Sequence, residues 1–147
     1  MKFLVIFLLF ISITLAPIIA DAGSFEGKWV IDLRSPDEKK NNVECGDASF
    51  DLTQNGSNIV GTHDFYTSYC GRVNEGGAVV GKAKGSKAIL FVTGGRTGAI
   101  VKGRAEIKNG HLSWVTLKTI KAGEPKNDSP LILSKGVLSR EKSLPSK

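Results

Sequence analysis

Two histidines and two cysteines are all that this 147-residue chain can offer to a transition metal or to thiol chemistry. A metal site draws three or four ligands together, and none of the expected spacings occurs around His63, His111, Cys45 or Cys70. The cysteines are not in a C-x-x-C arrangement and neither has a histidine beside it, so there is no redox or zinc motif. No G-x-S-x-G elbow presents a nucleophilic serine. The glycines Gly94, Gly95 and Gly98 around Arg96 open no helix, which removes the helix-terminus route to phosphate binding and leaves a turn. Asp64 and Glu75 are carboxylates without a defined cleft and do not make a glycosidase pair. These absences point away from an enzyme and imply no metal and no cofactor.

The chain does have apolar length in one place. Lys2 precedes an almost unbroken apolar run from Phe3 to Ile19, and Ala20-Asp21-Ala22 follows with small residues where a signal peptidase admits them. The run approaches the ~20 residues that span a bilayer. Pro17 near its end, the A-x-A site and the lack of a basic stop-transfer cluster favour a cleaved signal over an anchor. Residues 1–22 are thus expected to be a signal peptide, with cleavage before Gly23. The product would be secreted or periplasmic, with no stable membrane insertion after cleavage. In such an oxidising compartment Cys45 and Cys70 are expected to form one disulfide.

Charge is divided unevenly. Residues 23–75 carry five Lys/Arg against nine Asp/Glu, whereas residues 76–135 carry eleven against three. A basic half can steer acidic partners. Its lysines also alternate with apolar residues, as the outward positions of an ordinary solvated strand do. A binder of single-stranded nucleic acid interleaves cations with exposed aromatics. Phe91 and Trp114 are the only aromatics in the basic half and are read in the apolar phase, so no nucleic-acid partner is expected.

Beyond residue 22 a helical period is almost absent. Short alternating segments separated by Gly, Asn and Ser indicate antiparallel strands. Residues 26–33 alternate Trp29, Ile31 and Leu33 against Lys28, Val30 and Asp32, and the polar stretch 34–47 reads as a long loop. Asn55-Gly56 and Asn109-Gly110 are preferred two-residue hairpin turns. The first predicts Leu52 opposite Ile59 and Phe50 opposite Gly61. The second predicts Ile107 opposite Leu112 and Ala105 opposite Trp114. Another hairpin turns at Gly85-Ser86, and a last strand is expected over Leu131–Leu138. About eight strands result, an all-β antiparallel meander expected to close into a small up-and-down barrel, with a β-sandwich as the alternative. The domain would span 23–138 and a polar, disordered tail 139–147.

Gly27-Lys28-Trp29 on the first strand, followed by an eight-strand meander, resembles the calycin superfamily of lipocalins, fatty-acid-binding proteins and avidins. Asp32-Leu33, Ser35 and Gly61-Thr62 make the local likeness nearest to avidins. The resemblance implies a barrel with Trp29 plugging one end. It does not extend to biotin: an avidin would place Asn at Ile31, Ser at Ser35 and Tyr at His63, and only Ser35 matches. The expected function is a non-enzymatic exported binding protein holding a small apolar or amphipathic ligand in the barrel mouth, near Ile31, Ser35, His63 and Phe65. The alternative is a protein-interaction module, such as a small exported inhibitor or an envelope- or host-interacting factor, with its lumen filled.

Overall fold

A computed structural model describes residues 23–142; the expected signal peptide and residues 143–147 of the expected tail lie outside the described residues. Eight strands follow one another: β1 Gly27–Asp32, β2 Asp47–Asn55, β3 Asn58–Tyr66, β4 Val73–Lys84, β5 Lys87–Thr93, β6 Ile100–Lys108, β7 His111–Lys121 and β8 Lys135–Arg140. Each pairs antiparallel with the next, and β8 returns to β1, so the sheet closes into a barrel. Closure removes every sheet edge, which an open two-sheet sandwich of these short strands would leave unpaired.

The turn chemistry explains the registers. At Asn109 and Gly110 both residues have positive φ, +52° and +75°. The resulting pairs, Ile107 with Leu112 and Ala105 with Trp114, are those the sequence predicts. The first hairpin differs. Its turn is centred on Gly56-Ser57, with Asn55 still paired to Asn58, so Leu52 faces Gly61 and Phe50 faces His63. Only Gly56 takes a positive φ, +58°, and a turn needing one such residue, in first place, puts glycine there rather than Asn55. The shift is two residues, so every side chain keeps its face.

Three further boundaries depart from expectation. The loop 34–47 contains a short helix α1, Pro36–Lys40, because Ser35 and Glu38 form a reciprocal capping box. Residues 131–133 are not strand; they leave the wall and turn inward. β8 runs on through Ser139 and Arg140, which pair with Val30 and Trp29 to close the barrel, instead of ending at 138 in a tail. Phe91 also points outward, contrary to the apolar-phase reading: Ala88, Leu90 and Val92 are the buried positions of β5.

The interior is filled. Trp29, Phe50, Leu52, Ile59, Leu90, Leu112 and Trp114 belong to one buried cluster. Gly103 makes room for the Trp114 ring, since a Cβ there would lie 2.1 Å from its Cη2. At the turn end Phe25 is fully buried, and its carbonyl accepts from the Trp29 indole N–H at 2.9 Å. The Arg140 guanidinium caps the Trp29 ring, 4.3 Å from its centroid.

Candidate functional site

The opposite end of the barrel carries the four long connections, 33–46, 67–72, 94–99 and 122–134. Cys45 and Cys70 are joined in a disulfide, with Cα atoms 5.3 Å apart, which ties the first connection to the second. The fourth folds back into the mouth. Leu131 and Leu133 are buried there; the Leu131 N–H donates to Ser129 within the connection, while both carbonyls and the Leu133 N–H find partners on the barrel wall. The Trp114 indole and the Thr116 hydroxyl donate to the Leu133 carbonyl at 2.7 and 3.2 Å. The buried Asn74 amide donates to the Leu131 carbonyl at 3.3 Å and accepts from the Arg96 backbone N–H at 3.0 Å. Outside, Nε and Nη2 of Arg96 both reach Asp128, at 2.9 and 2.7 Å, and hold the same connection from its outer side.

His63 sits at the centre of this closure. It has no exposed surface and its ring stacks on Phe50, centroids 4.5 Å apart. Nδ1 lies 2.7 Å from the Ser49 carbonyl, which can only accept, so Nδ1 carries the proton. Nε2 then accepts the Leu133 backbone N–H at 3.1 Å. Both nitrogens are satisfied only in the neutral ring. Burial pushes its pKa below the ordinary histidine value, against smaller opposing contributions from the Ser49 carbonyl and Asp64. The Asp64 carboxylate lies away from the imidazole hydrogen bonds and accepts from the Gly76 N–H at 2.7 Å.

The four residues expected at a ligand mouth are not gathered around one cavity. Ile31, Ala48 and Phe65 form one cross-strand row, and Trp29, Phe50 and His63 form the next. Ile31 lines a shallow depression of about 350 Å³ with Val30, Asp32, Arg34, Asp47 and Glu141. Phe65 packs against the core. Ser35 stands outside the mouth, where its hydroxyl accepts from the Glu38 N–H at 3.2 Å and its own N–H donates to the Glu38 carboxylate.

Several carboxylates near the rim are ordered by hydrogen bonds. Arg34 donates to Asp32 through its side chain and backbone and holds that carboxyl far below the usual range. Asp47, directly opposite Asp32, is raised by burial and then by that neighbouring charge. Burial pushes the Tyr66 phenol to about 12, helped by its bond to Glu75. Among the described residues no three His, Cys, Asp or Glu side chains come together. The closing segment 131–133, Asn74 and the Arg96–Asp128 latch were not visible in the sequence as site residues. The one signal was an apolar triplet behind Pro130, which also reads as strand.

No protein-family model matches the chain, and no curated protein matches it significantly.

Proposed function

We propose that this chain is an exported, non-enzymatic binding protein that works through the outside of its barrel. The observation that carries this reading is the occupied lumen: Phe25 and Trp29 fill one end, Phe50, His63 and Trp114 the middle, and Leu131 and Leu133 the other end. A pocket for a drug-sized ligand takes roughly 300–1,000 Å³. Here that space is taken by side chains whose hydrogen bonds are already made. Protein interiors pack too densely to admit a ligand without expelling something. A lumen binder would therefore have to unseat residues 131–133 and forfeit four hydrogen bonds. The Cys45–Cys70 disulfide supports export, because such bonds persist in oxidising compartments. The calycin-like first strand fits the same reading as a scaffold, since a barrel of this kind sets no function by itself.

The test is native mass spectrometry of the chain recovered from its expressing cell, combined with titration of an apolar dye against tryptophan fluorescence. The expected result is a mature mass beginning at Gly23, no retained small molecule and no quenching of Trp29 or Trp114. A stoichiometric bound molecule together with quenched indole fluorescence would overturn the reading in favour of a lumen ligand.

A further inference from the structure

The wall formed by β3, β4, β5, β6 and β7 carries an unusual arrangement of outward side chains. Three cross-strand rows run over it. The first reads Val60, Val80, Phe91, Lys102, Lys118; the second passes through Lys82, Ile89 and Arg104; the third through Lys84, Lys87 and Glu106. Six cations thus meet a single carboxylate. Two pairs, Lys84 with Lys87 and Lys102 with Lys118, stand directly opposite each other, where like charges destabilise a sheet. Among the described residues none of the six makes an ion pair. Interleaved with them are apolar side chains left in water: Val60 is 53%, Val80 52%, Ile89 37% and Phe91 36% exposed. Lys102 lies over the Phe91 ring, 5.9 Å from its centroid. Between Lys82, Lys84, Lys87, Ile89 and Arg104 there is a dip of about 220 Å³.

We propose that this wall docks on the surface of an anionic lipid bilayer. The inference rests on the outer-surface reading above and names its partner. Uncompensated like charges held in register call for an external anion. The exposed aliphatic residues decide which kind: a soluble acidic polypeptide would leave Val60, Val80 and Ile89 in water, and a single-stranded nucleic acid, which stacks its bases on aromatics, would cover Phe91 alone. A bilayer interface takes both: lysine and arginine heads reach the phosphates while Val80, Ile89 and Phe91 enter the acyl boundary. The dip, rimmed by cations with Ile89 among them, has the mixed character of a phosphate headgroup and the start of its acyl chains.

The experiment is co-sedimentation of the processed chain with vesicles of phosphatidylcholine, with and without phosphatidylglycerol. Binding is expected only to the anionic vesicles and should be lost as salt rises from roughly 0.05 to 0.5 M, as the screening length shortens. Lys82→Gln with Arg104→Gln should weaken partitioning by about 30-fold, the loss of two cations near an anionic surface. Phe91→Ser should weaken it several-fold without restoring it at low salt. Lys40→Gln, on α1 and away from the wall, should change nothing. The proposal is overturned if the wild type ignores anionic vesicles, if the double variant binds as well as wild type, or if polyglutamate binds while vesicles do not. Brominated acyl chains and native mass spectrometry together separate this from failure of the broader reading. Quenching of Trp114 by the bromines is expected from docking, since its ring lies just behind Gly103 of the wall. A stoichiometric lipid retained in the native mass spectrum would instead show lipid inside the barrel and bring down both.

Discussion

Leu133 donates its backbone N–H to Nε2 of His63 across 3.1 Å, so a residue seventy positions away closes the barrel onto the one buried imidazole. The bond exists only while Nε2 is unprotonated, and that sets a pH dependence. The folded-state pKa of His63 lies below the ordinary value of 6.5, with burial the main cause. Below 6.5 the unfolded chain takes up a proton that the folded chain refuses. The stability that His63 contributes is therefore complete above 6.5 and falls as pH drops below it. Denaturant titrations between pH 8 and pH 5 should show this loss, and His63→Gln should flatten it. A wild-type midpoint that does not move over this window would mean the tether carries no such linkage.

Reducing the Cys45–Cys70 bond should loosen the chain without changing the barrel's topology. The cysteines are 25 residues apart, and closing a loop of that length stabilises by about 3 kcal/mol in the chain-entropy model. Cys45→Ser with Cys70→Ser should lower the melting temperature by on the order of 10 °C. Calorimetry of the oxidised and double-serine forms decides it, and equal melting temperatures would refute the estimate.

Ser35 separates a capping role from a ligand role. Its hydroxyl accepts the Glu38 N–H on an exposed helix end, well outside the barrel. Ser35→Ala should cost about 1 kcal/mol, as loss of a helix cap does. Ser35→Asp, which keeps a cap acceptor, should recover most of it. If both variants are as stable as wild type, the capping box contributes nothing here.

How much of this was legible depended on whether the sequence held a phase. The strand count and the Asn109-Gly110 register were readable because two adjacent residues that tolerate positive φ admit a single hairpin geometry. Around Gly56 the same dipeptide was present, but one positive φ sufficed, and the turn centre moved by a residue. In β5 the run Ala88-Ile89-Leu90-Phe91-Val92 is apolar on both faces, so alternation could not say that Phe91 points out. Residues 131–133 were the hardest. Alternation of apolar side chains is shared by a strand and by a plug entering the mouth, and only partners far along the chain distinguish them. Asn74 and His63 are those partners, and nothing local to 131–133 names them.

Gly103 should tolerate no side chain. A Cβ there would lie 2.1 Å from Cη2 of Trp114 and within 2.6 Å of two more ring atoms, well inside any allowed contact. Trp114 cannot retreat easily, because its N–H is bonded to Leu133 and its ring packs against Phe50 with centroids 5.2 Å apart. Gly103→Ala should cost about 1–3 kcal/mol through overpacking. It should also change the near-ultraviolet circular dichroism of the indole. An unaltered spectrum and midpoint would show that the ring has room the packing denies it.

Leu133→Ala is the variant that distinguishes a stopper from mere filling. The side chain is buried at the mouth, while the backbone N–H and carbonyl that bond His63, Trp114 and Thr116 are untouched by the change. Truncation should cost about 2–5 kcal/mol as a buried leucine does, and leave a void at the loop end. If the segment is what keeps small molecules out, this variant should bind an apolar dye and show Trp114 quenching that the wild type lacks, with the barrel still folded by far-ultraviolet circular dichroism. Dye binding lost again on adding Asp128→Asn would contradict the picture, because releasing the Arg96–Asp128 latch can only widen access. The two variants together should therefore bind at least as well as Leu133→Ala, and a folded Leu133→Ala that stays dry would show that the wall closes the lumen without help from residues 131–133.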